Sequence, residues 1–173
     1  MNKNTKLYNV IFPFWLLVSF PISWIFLIVF PANFAIDFLV VLLSLKFLKV
    51  ENFKEIAKKV IFKVWIMGFV ADIIGSVLMF TVACMMETKN EAFNDWWYEN
   101  VTNSVCYNPF ENIFAFLIVT VFVAFVGFLI YEMNFRWCLK KADLTFEQKR
   151  RVALNLAFFT APYLFYLPTM WFY

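Results

Sequence analysis

Between Leu7 and Val50 the chain carries only three charged side chains, Asp37, Lys46 and Lys49. A stretch that apolar has no stable place on a protein surface in water. It is also too long for one membrane helix, which needs roughly 20 residues at 1.5 Å of rise each. It fits two. The break between them is expected at Phe30-Pro31-Ala32-Asn33, because proline disfavours helix at the residue before it and Asn33 can cap the helix that follows. This places span 1 at about 8–29, with a kink at Pro21, and span 2 at about 33–48. The basic residues from Met1 to Lys6 resemble the start of a signal peptide. The apolar run after them outlasts a signal core and lacks a small-x-small cleavage site, so it reads as a retained span.

The rest of the chain continues the pattern. Asn52 and Glu55 have capping-box spacing, N-x-x-E. A helix starting there would run in the cytoplasm first, with Glu55 and Lys59 paired four residues apart, and would cross as span 3 at about 60–85. Span 4 is expected at about 112–135. Thr145 and Gln148 form a second capping box, and the helix they open would cross as span 5 at about 152–170, ending in the interfacial aromatics Trp171, Phe172 and Tyr173. The fold class expected is an all-α integral membrane protein, one domain of five transmembrane helices. Composition agrees: 64% of the 173 residues are hydrophobic and 16% charged, against about 45–50% and about 25% for soluble domains.

Orientation follows from the cations. With the N-terminus inside, Lys3, Lys6, Lys46, Lys49, Lys54, Lys58, Lys59, Lys63, Arg136, Lys140, Lys141, Lys149, Arg150 and Arg151 all fall on the cytoplasmic side; of the 15 Lys and Arg only Lys89 falls outside. That asymmetry sets the topology. The AT-rich flavour of the composition, heavy in Phe, Ile, Lys and Asn, points to a bacterial cytoplasmic membrane as the location.

The outer 87–111 loop is patterned. Glu87, Glu91, Asp95 and Glu99 recur every four residues; Phe93, Trp97, Val101 and Val105 recur likewise, offset by two. On a helix, two residues are about 200° apart, so acids and apolar groups take opposite faces. The expectation is an amphipathic helix on the outer leaflet, rings down and carboxylates up, ended by Asn108-Pro109. The four acids are a candidate cation-attracting face. Cys84 and Cys106 are both expected near this surface, as two separate thiols or as a disulfide in an oxidising space. Asn100-Val101-Thr102 matches a glycosylation sequon.

Asp37 and Asp72 are the only carboxylates well inside the expected spans. A charged Asp at the bilayer centre costs about 2.5–3.5 kcal/mol on insertion scales, so such residues usually face an interior partner. Helix rise puts Asp37 about 9 Å and Asp72 about 12 Å below the outer surface. Thr120, Thr160 and Tyr163 fall near the same layer, and Ser23 close to it. Gly68, Asp72, Gly75 and Met79 share one face of span 3, a seam of small residues suited to a neighbouring helix. Asp37, Asp72, Thr120, Thr160 and Tyr163 are therefore the candidate cation or proton site. Glu132 is expected to pair with Arg136. Asn134 and Asn155 look like boundary residues without a special role.

Several functions are disfavoured. The chain has no His, the commonest metal ligand and proton shuttle. Its three cysteines are far apart, without zinc-site spacing. No cofactor motif, nucleotide loop or nucleic-acid signature is present, and the paired-aspartate motif of intramembrane proteases is absent, so an enzyme is not expected. The reading is a small proton- or cation-linked transporter or channel component, surrounded by lipid and acting as a homo-oligomer or with a membrane partner. The alternative is a non-catalytic accessory, assembly or immunity protein.

Overall fold

The computed structural model describes residues 25–84 and 87–168. Most of span 1, the Pro21 kink, Ser23 and the terminal aromatics Trp171 to Tyr173 lie outside them. Among the described residues there are six α-helices: α1 (Ile25–Phe47), α2 (Phe53–Cys84), α3 (Glu91–Trp97), α4 (Asn103–Tyr107), α5 (Ile113–Met133) and α6 (Phe146–Phe159). π turns at Tyr98–Thr102 and Asn134–Cys138 join α3 to α4 and extend α5, and 3-10 turns lie at Pro109–Glu111 and Tyr163–Tyr166. No strand occurs among the described residues.

Among the described residues three helices are long and apolar enough to cross a membrane: Val29–Phe47, Phe53–Cys84 and Ile113–Cys138. The five expected spans are corrected in two places. First, no break occurs at 30–33. Helix α1 runs through Pro31, so residues 25–29 belong to the helix expected to start at Asn33. Pro31 is the seventh residue of the described helix, past its first turn, so its missing N–H leaves the Leu27 carbonyl without a backbone donor. Membrane helices tolerate such prolines where neighbouring groups satisfy the freed carbonyl. Second, the expected fifth span is not one continuous helix. Helix α6 has 14 residues, about 21 Å, and stops before Pro162. Its backbone then continues through the 3-10 turn.

The reason for that stop is local. Ala161 precedes proline and is biased away from helix, and Pro162 has no N–H to give the carbonyl of Phe158. The Tyr163 hydroxyl supplies the missing donor, 2.5 Å from the Phe158 oxygen. At the other end of α6 the expected capping box forms: Thr145 Oγ1 accepts from the Gln148 N–H, and the Gln148 side chain accepts from the Thr145 N–H. The first expected box does not. Asn52 takes a left-handed φ of 53°, and its carbonyl, not its side chain, accepts from the Glu55 and Ile56 N–H groups.

The turn before Asn52 is a Schellman motif. Lys49 N–H donates to Lys46 O and Val50 N–H to Leu45 O, with Lys49 at φ 52°. That position usually holds glycine. Val50 packs on the core, as the motif's hydrophobic contact requires. The tight turn sets α2 antiparallel to α1.

The four long helices form a ring: α1 packs on α2, α2 on α5, α5 on α6, and α6 back on α1. The core runs along the middle of this ring through Val41, Leu45, Val64, Met79, Val119, Val126, Ile130, Val152 and Leu156. Large apolar side chains such as Leu39, Ile73, Leu117, Val121, Phe128 and Phe158 are exposed around the outside, the pattern of a bundle whose solvent is as apolar as its core. The expected ion pair is present: Arg136 Nε meets Glu132 Oε2.

The 87–111 segment is helical as its periodicity implies, with three differences. The helix starts at Glu91, capped by the Asn90 side chain on the Phe93 N–H, so Glu87 lies ahead of it. Glu91, Asp95 and Glu99 are exposed while Val101 and Val105 are buried. The apolar face is seated on the end of the bundle, against Ala83, where the pattern alone implies only a lipid surface. Trp97 Nε1–H and the Thr102 hydroxyl both donate to the Ala83 carbonyl, at 3.2 and 2.5 Å. That carbonyl belongs to the last turn of α2, whose acceptors lack helical partners. The π turn makes the double contact work. Five steps of an ordinary helix would leave Trp97 and Thr102 about 140° apart, and the wider i→i+5 turn brings them to one side. Asn100 of the sequon uses both ends of its amide, donating to Trp96 O and accepting from Asn112 Nδ2.

Candidate functional site

Helix α1 presents Asp37, Val41, Ser44 and Leu45 inward, all buried. Their spacing of four, three and one residues is one helical face. The residues opposite come from α2 and α6. The inward line of α2 is Gly68, Ala71, Asp72, Gly75, Ser76 and Met79. The α6 line is Val152, Asn155 and Leu156, continued by Thr160, the residue that terminates the helix.

Asp37 is 3% exposed. Its Oδ2 lies 3.7 Å from where a Cβ on Gly68 would stand, so the missing side chain of Gly68 admits the carboxyl to the face of α2. The same carboxyl is within hydrogen-bonding reach of the Thr160 side chain and within electrostatic range of Asp72. Three elements thus bring one polar group each to a common point: α1 through Asp37, α2 through Asp72, and the broken end of α6 through Thr160. No ion pair reaches either carboxyl among the described residues. Asp72 Oδ1 is buried and has no hydrogen-bond partner. A buried polar atom left without a partner costs about 1–3 kcal/mol, and more where the group is charged.

The hydroxyl of Thr160 points back along its own helix, donating to Leu156 O at 2.8 Å. A hydroxyl has one proton to give. With that proton engaged by the Leu156 carbonyl, the Thr160 oxygen is also within reach of Asp37. The arrangement is a buried carboxyl with one hydroxyl in reach and a second carboxyl in electrostatic range. Chemically it can hold a proton. A dehydrated cation would need more: hard cations gather about six or more oxygens, and no group of three or more metal-binding side chains is found among the described residues.

Thr160 thus comes within reach of Asp37, and Asp72 lies within electrostatic range of Asp37. The other two candidates do not join them. Thr120 donates to Phe116 O at 2.7 Å and accepts from the Tyr166 hydroxyl at 2.9 Å, tying α5 to the segment beyond α6. Tyr163 is half-exposed and spends its hydroxyl on Phe158 O. Depth along a helix carries no information about which way a side chain faces. The glycine seam likewise divides: Gly68 faces α1, while a Cβ on Gly75 would collide with Val126 of α5.

Sequence reasoning passed over two groups. Asn155 Nδ2 donates to Ser44 Oγ at 2.9 Å, a second polar bond between α6 and α1. The seven-residue step from Asp37 to Ser44 on one helix face was the signal for it. Trp65 Nε1 is buried without a partner on the α2 face, its ring edge-on to Phe30, Phe34 and Phe69. Asn134 is not idle either: its Nδ2 donates to Ile130 O at 2.8 Å, while its Oδ1 is buried without a partner.

At the far end of α2 the sulfurs of Cys84 and Cys106 are 3.5 Å apart. The facing Cys84 sulfur and burial both push the Cys106 thiol above the usual thiol range. Comparison with protein-family models, with curated proteins and with solved structures finds no match for this chain.

Proposed function

We propose that this protein is a membrane-embedded component of a proton-linked transport process, with Asp37 and Asp72 as the groups that take up and release the proton. The observation carrying this reading is the buried, unpartnered oxygen of Asp72 beside Asp37. Ionisable residues at membrane depth are rare and usually mark ion or proton pathways. The break at Thr160-Ala161-Pro162 supports it. Discontinuous helices at membrane depth are tolerated where they are buried in protein or line a cavity, and transporters place coupling sites at such breaks. In this proposal there are five membrane passes, the last completed by the irregular 160–168 segment, and the N-terminus lies in the cytoplasm, as the distribution of Lys and Arg favours.

The test is proton flux into liposomes that hold the purified protein, read with an entrapped pH-sensitive dye under an imposed potassium-diffusion potential. Wild-type vesicles are expected to acidify faster than empty ones, and Asp72→Asn and Asp37→Asn to return the rate to background with unchanged melting temperatures. Equal rates in wild-type, variant and empty vesicles would overturn the reading.

The exposed acids Glu91, Asp95 and Glu99 favour a second reading, an accessory, assembly or immunity protein that docks a basic partner through its arm. It predicts a stoichiometric partner in gently solubilised membranes, lost when the three acids are replaced by Gln and Asn.

A further inference from the structure

We propose that Cys84 and Cys106 are a dithiol–disulfide site, which a disulfide oxidant closes into an intramolecular bridge stapling the acidic arm to the end of α2. The proposal stands on geometry and does not depend on the transport reading. The two sulfurs are already in contact at 3.5 Å although 22 residues separate them in sequence. Closing to a bond requires an approach of about 1.5 Å, within the reach of small side-chain torsions. The contact is positioned by its surroundings. Cys84 follows Ala83, whose carbonyl is clamped by Trp97 and Thr102, and Cys106 lies one helical turn beyond Thr102. The arm is therefore held in register by two hydrogen bonds before any covalent bond forms. Both cysteines are half-buried, open to a small reagent, whereas Cys138 is buried at the opposite end of the bundle.

The chemistry balances with a small disulfide as oxidant. One protein thiolate attacks a sulfur of oxidised glutathione, breaking its S–S bond and releasing one glutathione thiolate, which takes up a proton. The second protein thiolate then attacks the protein sulfur of the mixed disulfide, forming the Cys84–Cys106 bond and releasing the second glutathione. Two protein sulfurs are oxidised, two glutathione sulfurs are reduced, and the two thiol protons end on the products. The second step is intramolecular between groups already in contact, so it outcompetes capture by another glutathione. In an oxidising compartment the bridge persists and holds the arm; in a reducing one the thiols return and leave the hydrogen-bonded clamp alone.

The test takes the full-length protein in detergent, incubated to end point with excess oxidised glutathione, then denatured and alkylated with a maleimide. Intact mass and proteolytic mapping under non-reducing conditions identify the products. Wild-type protein is expected to lose two hydrogen atoms in mass, to keep one alkylatable thiol, and to yield a cross-linked peptide pair containing Cys84 and Cys106. Cys84→Ser and Cys106→Ser are each expected to carry glutathione on the remaining partner. The wild-type result decides alone if either variant fails to fold. Glutathione retained on Cys84 or Cys106 in the wild type, a bridge between two chains, or three alkylatable thiols would each overturn the proposal.

Discussion

Gly75 of α2 and Val126 of α5 pack so closely that any side chain on Gly75 would overlap the Val126 methyl group, with Phe165 next behind it. Both residues are buried inside long helices, so relieving the overlap requires a backbone shift. Gly75→Ala is expected to destabilise the protein by about 1–3 kcal/mol, the usual range for overpacking a core. Val126→Ala placed in the Gly75→Ala background should recover part of that loss, although alone it opens a cavity. Thermal melts of the three variants in one detergent check this. Equal additive losses would mean the two positions do not meet.

Lys49 carries the Schellman turn between α1 and α2 at a φ of 52°. A left-handed conformation costs an ordinary L-residue roughly 1–2 kcal/mol, and glycine adopts it freely. Lys49→Gly is therefore expected to raise stability by about 1 kcal/mol. Lys49→Ala should leave it unchanged, which separates the backbone effect from loss of the charge.

How much of this was legible in the sequence depends on which physical signal carried it. Apolar run length found the three helices long and apolar enough to cross a membrane, because that property depends on composition alone. Capping chemistry found Thr145 and Gln148, and periodicity found the buried and exposed faces of the arm. The helix through Pro31 departs from the local proline rule because the packing of α1 on α2 and α6 outweighs the loss of one backbone bond. The end of α6 before Pro162 was readable from the same rule applied deeper in the helix. The pairing of Asp37 with Thr160, and the exclusion of Thr120 and Tyr163 at the same height, depend on helix rotation within the bundle, which no single helix encodes. The π turn that aligns Trp97 with Thr102 has no sequence signature either; it follows from the Ala83 carbonyl needing donors.

That carbonyl gives a test of the arm. Trp97→Phe and Thr102→Val each remove one donor from it while keeping shape. Hydrogen exchange over residues 91–107 should quicken in both. Because the donors share one acceptor, the double variant should exceed the sum of the two, since only then is the carbonyl left without a partner among its present ones. Exchange at the centre of α5 should stay as in the wild type, showing that the arm opens locally.

The bond between Asn155 and Ser44 is expected to contribute about 0.6–1 kcal/mol, the range for side-chain hydrogen bonds between helices in membranes. Ser44→Ala and Asn155→Ala should each lower stability by about that amount. The double variant should be no worse than the poorer single one. A double-mutant cycle with no coupling energy would show that the contact is incidental to holding α6 on α1.

Thr160 and Tyr163 lie three residues apart and differ in what their hydroxyls touch, which separates the proton site from its scaffold. Thr160→Val removes the oxygen facing Asp37 and keeps the side chain's shape. If Thr160 supports the Asp37 proton site, proton flux should fall about tenfold, the equivalent of one hydrogen bond of about 1.4 kcal/mol. Tyr163→Phe removes the donor to the Phe158 carbonyl, which Pro162 leaves without a backbone partner. It should lower the melting temperature by a few degrees and leave the flux per folded protein unchanged. Both effects on the same variant would tie the conduction step to the integrity of the break, not to the Asp37 contact. Loss of flux in Tyr163→Phe alone would move the site to the outer face of the 3-10 turn.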